Sequence, residues 1–333
     1  MSTTRTSSET RPATRAQPTG ALPLMPEESL GNQLGYSSIV VAVSGGAEAA
    51  GPVRVAAALE QRYGSHVSAI QVMDTSDMAL PTPLPTAFTF ARELIGDAPY
   101  AQDANARRHQ FTDWLGRPNE WPVHIALGAP AYQILRYAER QGAGLIVMGL
   151  RHHGVVDRVL RDETTLTVAR RSRAAVFAVA RSLPHLPRRA IVGVDFEPAS
   201  LRAARAALDV LTSGMSDEPA SLRLVYVDRT GMEGWREETA GEAVIRRLGV
   251  AAAFEELVAE LQAPPNVHVS SVVRRGVPAH ELLAVAEETH GDLIVVGSLR
   301  HERLEQWVLG SVTTEVIRDG RCSVLVIPPR RRD

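Results

Sequence analysis

The chain carries its sequence pattern twice, and this internal duplication restricts the fold more than any other feature. The segment "VHIALGAPAYQILRYAERQGAGLIVMGL", which starts at Val123, matches "VSSVVRRGVPAHELLAVAEETHGDLIVVGS" in the second half. In this alignment Gly128 lies opposite Gly276 and Gly149 lies opposite Gly297, so that each pair is 148 residues apart. A repeat of this length is a whole domain rather than a short structural repeat. The sequence therefore predicts two similar domains in tandem.

Both halves alternate short runs of β-branched residues with longer runs of helical periodicity. This alternation is typical of parallel strands joined by crossover helices. Five strands are predicted in each half, at 38–43, 67–73, 121–127, 144–148 and 175–180, then at 190–194, 222–228, 267–273, 292–296 and 323–327. The fold class is therefore α/β, with two tandem, doubly wound, Rossmann-like parallel sheets.

Composition changes along the chain suggest where the domains begin and end. Residues 1–36 contain 17 Ser, Thr, Pro or Gly and no apolar periodicity, so we expect a disordered tail whose removal changes stability little. The first domain is predicted at 37–182 and the second at 189–330. The Pro- and Arg-rich residues 183–188 between them are predicted to form a linker.

Composition also excludes several classes of protein. All 36 basic residues are arginine, so a Walker A lysine, a kinase lysine and a pyridoxal phosphate Schiff base are excluded. A single cysteine, Cys322, cannot form an intrachain disulfide, and a reducing, cytoplasmic location is the expectation. The net charge of −2 and the low aromatic content disfavour nucleic acid, and no apolar stretch is long enough to predict a membrane span.

Ligands of open parallel sheets bind outside the carboxyl ends of the strands, where the strand order reverses. In the second half this rule selects Val194 and Asp195 after strand one, Val227 after strand two, and Gly297 after strand four. Gly310 and Ser311 then open a helix whose unpaired N–H groups suit phosphate oxygens.

The residues of this loop resemble the nucleotide-binding motif of the universal stress protein family, in a tandem form that covers about residues 37–330. The family motif has a glycine, two residues, a second glycine, nine residues, and Gly-Ser or Gly-Thr. Here Gly297, Gly310 and Ser311 match, while Arg300 stands in place of the second glycine.

The resemblance implies an adenine nucleotide α-hydrolase-like fold and a site for ATP or a related adenine nucleotide, with or without magnesium. It implies that Asp195 hydrogen-bonds the ribose and that the backbone at Val227 meets the adenine edge. It also implies that the closing strands "AAVFAVA" and "CSVLVIP" pair edge to edge as a pseudo-dimer within the chain, which could itself form a homodimer. The full predicted set is Val194, Asp195, Val227, Val296, Gly297, Arg300, Gly310, Ser311, Val312 and Thr313.

The first half departs much further from the motif. Its equivalent positions are Ser44, Gly149, His152, Asp162 and Glu163. Two carboxylates at a helix N-terminus suit the helix dipole, but they would repel phosphates on the same amides. We therefore predict that the first half keeps the fold and has lost the nucleotide site.

Several of these residues also have simpler explanations. The glycines could be ordinary turn residues, Asp195 could be a helix cap, and Arg300 could either bind phosphate or block the groove. His152, His153 and His301 lack a third metal ligand at a recognisable spacing, so exposed loop histidines are expected rather than a metal site.

The resemblance to the universal stress protein family implies a stress-response, nucleotide-sensing module that is regulatory rather than catalytic, with an unidentified protein partner. Two alternatives stay open. "VSGGAEA" partly resembles the pyrophosphate loop of ATP pyrophosphatases, which would indicate a weak ATPase or adenylating enzyme. A nucleotide-free interaction protein is the other.

Overall fold

The computed structural model describes residues 36–44, 46–73, 98–150, 158–180, 183, 185–213, 218–229, 240–297 and 310–329. Within these ranges the chain forms ten strands and eight α-helices. The strands are β1 (Ser38–Val43), β2 (His66–Met73), β3 (Val123–Leu127), β4 (Leu145–Leu150), β5 (Ala175–Ala180), β6 (Arg189–Val194), β7 (Ala220–Asp228), β8 (Val267–Arg275), β9 (Leu293–Gly297) and β10 (Ser323–Ile327). The helices are α1 (Ala50–Tyr63), α2 (Ala98–Leu115), α3 (Pro130–Arg140), α4 (Arg158–Arg171), α5 (Pro198–Thr212), α6 (Ala240–Leu261), α7 (Pro278–Glu288) and α8 (Ser311–Asp319). All ten predicted strands are confirmed, with ends that differ from the prediction by at most two residues.

The ten strands form one sheet in the order β3-β2-β1-β4-β5-β10-β9-β6-β7-β8. Neighbouring strands are parallel within each half, as the helical crossovers require. The strand order reverses between β1 and β4 in the first half and between β6 and β9 in the second. Each half is therefore a doubly wound domain with a crevice at its reversal point.

Helices cover both faces of the sheet and bury its apolar residues. Helices α1, α2, α5 and α6 pack on one face, where Val41 and Val192 are buried. Helices α3, α4, α7 and α8 pack on the other face, where Val40 and Ile191 are buried. Each hydrophobic cluster contains residues of both halves, so the two domains share a continuous core.

The two halves join through their closing strands, as the sequence predicted. Strands β5 and β10 pair antiparallel, with Phe177 opposite Leu325, and every residue of both strands is buried. The Ser323 hydroxyl accepts a hydrogen bond from the Ala180 N–H at 3.0 Å. This pairing removes two apolar sheet edges that would otherwise template aggregation.

Tyr36 corrects the predicted end of the tail. The prediction placed residue 36 in a disordered segment, but its side chain is only 2% exposed and belongs to the core. The ring stacks on Tyr63, the last residue of α1, with centroids 5.1 Å apart. Residues 1–35 lie outside the described part of the chain, so the prediction for them stands untested.

Asp209 on α5 connects the second half to this tyrosine pair. It hydrogen-bonds Tyr63, and Arg62 and Arg205 lie near it. Burial raises the pKa of the Asp209 carboxyl from 3.8 to about 6, against the opposing influence of Tyr63 and the two arginines. Ionising Asp209 in the folded protein is therefore unfavourable relative to the unfolded chain.

We expect Asp209→Asn to remove a pH-dependent loss of stability. Because the folded pKa is raised, the contribution of Asp209 is fully present below pH 4 and is lost as the pH rises through about 6. Since the carboxyl retains some contact with solvent, we expect the variant to gain about 2 kcal/mol over wild type at pH 8 and nothing at pH 4. Urea unfolding at both pH values measures this difference. Asp113→Asn, at an exposed site on α2, is the control, and an equal response of both variants would contradict the prediction.

The single cysteine is expected to be unreactive. Burial and the neighbouring Asp292 carboxylate raise the pKa of the Cys322 thiol to about 12. Since the thiolate is the reactive species, native protein should react with Ellman's reagent at pH 8 at least about 100-fold more slowly than urea-unfolded protein. A native rate within about tenfold of the unfolded rate would show that the thiol is not protected.

No helix within the described ranges combines the length and the hydropathy that a bilayer span demands.

Candidate functional site

The predicted residues of the second half meet at the carboxyl edge of the sheet. Val194 ends β6, Gly297 ends β9, and these two strands are neighbours at the point of reversal. The side chains of Val194 and Val296 are buried at this edge on opposite faces of the sheet. The crevice above them is the place where doubly wound sheets bind ligands.

Asp195 begins the loop that leads from β6 to α5. Its Oδ1 atom accepts the Ser200 hydroxyl at 2.6 Å and the Glu197 N–H at 3.1 Å. The buried Ser200 hydroxyl in turn accepts the Asp195 N–H at 2.9 Å. These bonds hold the exposed carboxylate in a fixed orientation, with no hydrogen bond to Oδ2 from the described residues. Asp195 therefore organises the start of the helix and still has an acceptor available for a ligand hydroxyl.

Phe196 lies in the left-handed region, with φ of 64°, which is uncommon for a bulky residue. Its ring stacks on Tyr226 of β7 at 5.1 Å and meets the edge of Phe254 of α6 at 5.0 Å. These aromatic contacts offset the backbone strain and fix the loop beside the crevice. Strained backbone of this kind is concentrated at functional sites.

Gly297 lets the first turn of α5 approach the end of β9. A Cβ atom at this position would lie 3.2 Å from the Ala199 Cβ and 3.4 Å from the Ala199 carbonyl oxygen. Such contacts are tighter than nearly all real ones, so the glycine serves close packing whether or not a ligand binds. Gly149, its counterpart in the first half, would meet only Pro52 at 4.0 Å.

The N-terminus of α8 completes the edge. Gly310 is its N-cap, and the Thr314 N–H bonds to the Gly310 carbonyl at 3.1 Å to close the first turn. The N–H groups of Ser311, Val312 and Thr313 precede that bond and have no acceptor within the helix. Ser311 is exposed, whereas Thr313 is buried and anchors the turn to the core. This arrangement supplies an exposed hydroxyl and free amide donors, which is an anion-binding geometry.

An ion pair lies where β7 and β8 end. Val227 is partly buried against the core, and the next residue, Asp228, is buried. Arg246 of α6 donates to Asp228 Oδ2 at 2.7 Å, and the guanidinium of Arg275 is 3.7 Å from the same oxygen. The pair ties α6 to the sheet beside the predicted adenine position.

The first half places a negative charge at the corresponding edge. The Ser44 hydroxyl donates to Glu48 Oε1 at 3.1 Å. The Glu48 carboxylate lies over Gly46, where a Cβ atom would be only 2.8 Å or less from its oxygens. Gly46 therefore leaves the space that the Glu48 carboxylate occupies.

In the first half, helix α4 begins earlier than predicted. We predicted Asp162 and Glu163 at a helix N-terminus, but α4 starts at Arg158, which places both residues beyond its first turn. The repeat alignment sets Ser311, the first residue of α8, opposite residue 163, so the helix of the first half extends five residues further towards its start. Free helical amides are consequently absent at position 162. His152 and Arg300 lie outside the described residues, as do His153 and His301.

Within the described residues, no group of three His, Cys, Asp or Glu side chains is arranged to hold a metal ion.

Sequence comparisons agree with the duplicated architecture. The profile of the Universal stress protein family matches residues 35–180 and again 187–328. A universal stress protein of Mycolicibacterium smegmatis is 25% identical over 317 residues, which are 88% of this chain and 97% of that protein. A universal stress protein of Methanocaldococcus jannaschii is 27% identical over 160 residues, 47% of this chain and 91% of its own length.

The fold also resembles that of a solved structure. The crystal structure of a universal stress protein from Archaeoglobus fulgidus superimposes with a TM-score of 0.60 at 18% identity and covers 88% of this chain and 98% of its own. The chain is thus a tandem α/β protein in which each half has a point of strand-order reversal. It belongs to the universal stress protein family.

Sequence reasoning missed three residues that shape the edge, namely Ser200, Phe196 and Arg246. Pro198 marks the start of α5 and Ser200 lies in its first turn, which is the local signal that could have revealed Ser200 as a partner of Asp195. The left-handed Phe196 and the Arg246–Asp228 pair depend on contacts between distant segments and have no local signal.

Proposed function

We propose that the second half binds one adenine nucleotide, ATP or a close relative, with or without magnesium, and that the chain responds to it as a stress-related regulatory module. The adenosine lies over the edge formed by Asp195 and Val227, and the phosphates lie on the N-terminus of α8. The family resemblance supplies these roles, and the geometry of the described residues is compatible with each of them.

The difference between the two halves carries the proposal. Both halves have the same scaffold, so most contributions to binding cancel when they are compared. The second half offers a carboxylate acceptor at Asp195 and free amides at Ser311 to Thr313. The first half offers a hydroxyl already bonded to Glu48, and its helix covers the equivalent amides. In the first half, the Glu48 carboxylate at this edge would also repel the phosphates of a nucleotide.

The described edge supports binding more readily than catalysis. The hydroxyl that meets a carboxylate there is Ser200, which is buried and accepts the Asp195 N–H as well. Such a hydroxyl orients the loop and cannot reach a substrate. A regulatory role also fits an exposed site at the edge of a shared core, where an occupant can change the surface presented to a partner.

Two measurements test the proposal directly. Mass spectrometry of small molecules released from freshly purified protein should find an adenine nucleotide, and calorimetry of nucleotide-free protein with ATP and Mg²⁺ should give one site per chain. Incubation with ATP should release phosphate no faster than a buffer control. Two sites per chain, or no binding at any accessible concentration, would contradict the proposal, and steady turnover would favour a weak ATPase.

A further inference from the structure

A large groove lies outside the strand-edge site, between α6 and the outermost strand β8. Its volume is about 1050 Å³, and its walls come from residues 246–259 of the helix and 271–275 of the strand. Its floor includes Val250 and Phe254, both buried, while Val258 and Val273 are exposed along its sides. The groove is therefore apolar at its base and open along its length.

One wall of the groove is an open sheet edge. Strand β8 is last in the strand order, and within the described residues it pairs only with β7. It is nine residues long, whereas the opposite edge strand β3 has five. Long open edges of this kind are available to pair with another extended chain.

Arginines surround the groove. Its lining includes Arg246, Arg247, Arg274 and Arg275, against the two acidic residues Asp228 and Glu255. Asp228 pairs with Arg246 and lies near Arg275, and Arg274 pairs with Glu288, which lies outside the lining. The four arginines still outnumber the three carboxylates of Asp228, Glu255 and Glu288. The exposed Arg247 and Arg275 stand at the rim, where they can meet carboxylates from solution.

The first half closes the equivalent place with aromatic side chains. Phe111 of α2 is fully buried and lies 6.0 Å from Trp114 and 6.1 Å from Trp121 between ring centroids. The Trp121 indole N–H also donates to Glu60 of α1 at 2.7 Å. Within the described residues, aromatic rings therefore fill the space beside α2, whereas the space between α6 and β8 forms a groove.

We propose that this groove binds an extended, acidic peptide segment of a partner protein, which adds a strand to β8. Its backbone pairs with the open edge of β8. Because successive side chains of a strand point to opposite faces, every second side chain of the segment faces α6. On this face, apolar side chains enter the groove over Phe254 and Val258, and acidic side chains further along meet Arg247 and Arg275.

Charge argues against a second copy of this chain as the occupant. A two-fold contact through the groove would bring the exposed Arg247 and Arg275 of each copy to the same interface, and like charges across an interface oppose association. An acidic segment makes the opposite contact and is steered towards the groove before docking. The exposed Val244, Ile245 and Leu248 of α6 extend the apolar surface beyond the groove and lengthen the area that such a segment can cover.

A displayed library of random dodecapeptides, selected on the full-length protein, tests the proposal. We expect enrichment of peptides in which the apolar and acidic residues share every second position, and slower amide hydrogen exchange in 267–275 when synthetic copies of them are bound. Arg247→Glu and Arg275→Glu should each weaken their binding at least tenfold. Arg108→Glu, at an exposed site on α2 of the first half, should leave it unchanged. Methylating alternate backbone nitrogens of the peptide should abolish binding if it forms a strand.

Other results would overturn the proposal. One is enrichment of basic or neutral peptides, and another is binding that both charge reversals leave intact. A third is failure to select any peptide, whether the protein is monomeric or forms dimers that Leu248→Arg dissolves in sedimentation experiments. In the dimeric case a second copy occupies the surface. None of these results bears on nucleotide binding, which uses different residues.

Discussion

Gly310→Asp should lower the affinity of the chain for ATP at least about 100-fold. Among the described residues, a Cβ atom at Gly310 would have no neighbour within 4 Å, and the residue has φ of −59°, which aspartate adopts readily. Aspartate is also a favourable N-cap, which protects the helix from destabilisation. Its carboxylate would accept the amides of α8 that we assign to phosphate and would repel the phosphate charge. Loss of one hydrogen bond to a charged group, about 1.5–3 kcal/mol, plus repulsion gives this estimate.

Matched variants separate charge from shape. Gly310→Asn places a neutral side chain of nearly the same size at the N-cap, so its effect should be clearly smaller than that of Gly310→Asp. Asp195→Ala should weaken ATP binding, whereas Ser44→Ala, at the equivalent position of the first half, should not change it. Calorimetry with each variant gives the affinity and the stoichiometry together.

The opposite pattern would reassign the site. If Gly310→Asp binds ATP normally and Ser44→Ala abolishes binding, the nucleotide belongs to the first half. If wild type binds no adenine nucleotide, Arg300→Gly should restore affinity, because glycine is the residue that the family motif has there. Failure of both wild type and Arg300→Gly would leave the chain as an interaction protein without nucleotide.

The architecture was predictable because its signals are local and occur twice. Each half repeats β-branched runs at the same spacing, and Pro130 and Pro278 mark matching helix starts. A buried parallel strand needs a continuous apolar run, so the run itself locates the strand. The pairing of β5 with β10 was predicted from apolar edges that need cover, together with the family resemblance.

The details of the edge were harder to predict because they depend on distant contacts. The early start of α4 is ambiguous in the sequence, because Asp157 before Arg158 and Asp162 four residues after it are both favoured N-cap residues. The fixed orientation of Asp195 needs Ser200 to be buried, and the strain at Phe196 needs Tyr226 and Phe254 to be present. These partners come from three different elements, so their effect appears only when the chain is folded.

The core position of Tyr36 also could not be predicted from its local sequence. Its neighbours in sequence are polar or glycine, which predicts a tail. Its partners in space are Tyr63 on α1 and, through that residue, Asp209 of the second half. A single aromatic residue before the first strand carries no periodicity, so the pattern could not assign it to the core.

We expect Tyr36→Ala to lower the free energy of unfolding by about 3–5 kcal/mol, which is typical when a fully buried aromatic ring is removed. The side chain is 2% exposed, and its loss leaves a cavity beside Tyr63 at the contact between the halves. Tyr36→Phe keeps the ring and should cost about 1.5 kcal/mol or less. Tyr132→Ala removes a tyrosine that is 59% exposed and should change stability by less than about 0.5 kcal/mol.

A pair of truncations makes the same comparison at the chain terminus. Removing residues 1–35 keeps Tyr36, whereas removing 1–36 deletes it, so the two proteins should differ in stability by nearly the full effect of Tyr36→Ala. Urea unfolding followed by circular dichroism measures both. If the two truncated proteins unfold at the same urea concentration, Tyr36 contributes nothing to the core and the folded chain begins at β1. If the shorter truncation is already destabilised by several kcal/mol, residues before Tyr36 also stabilise the folded chain, contrary to their polar composition.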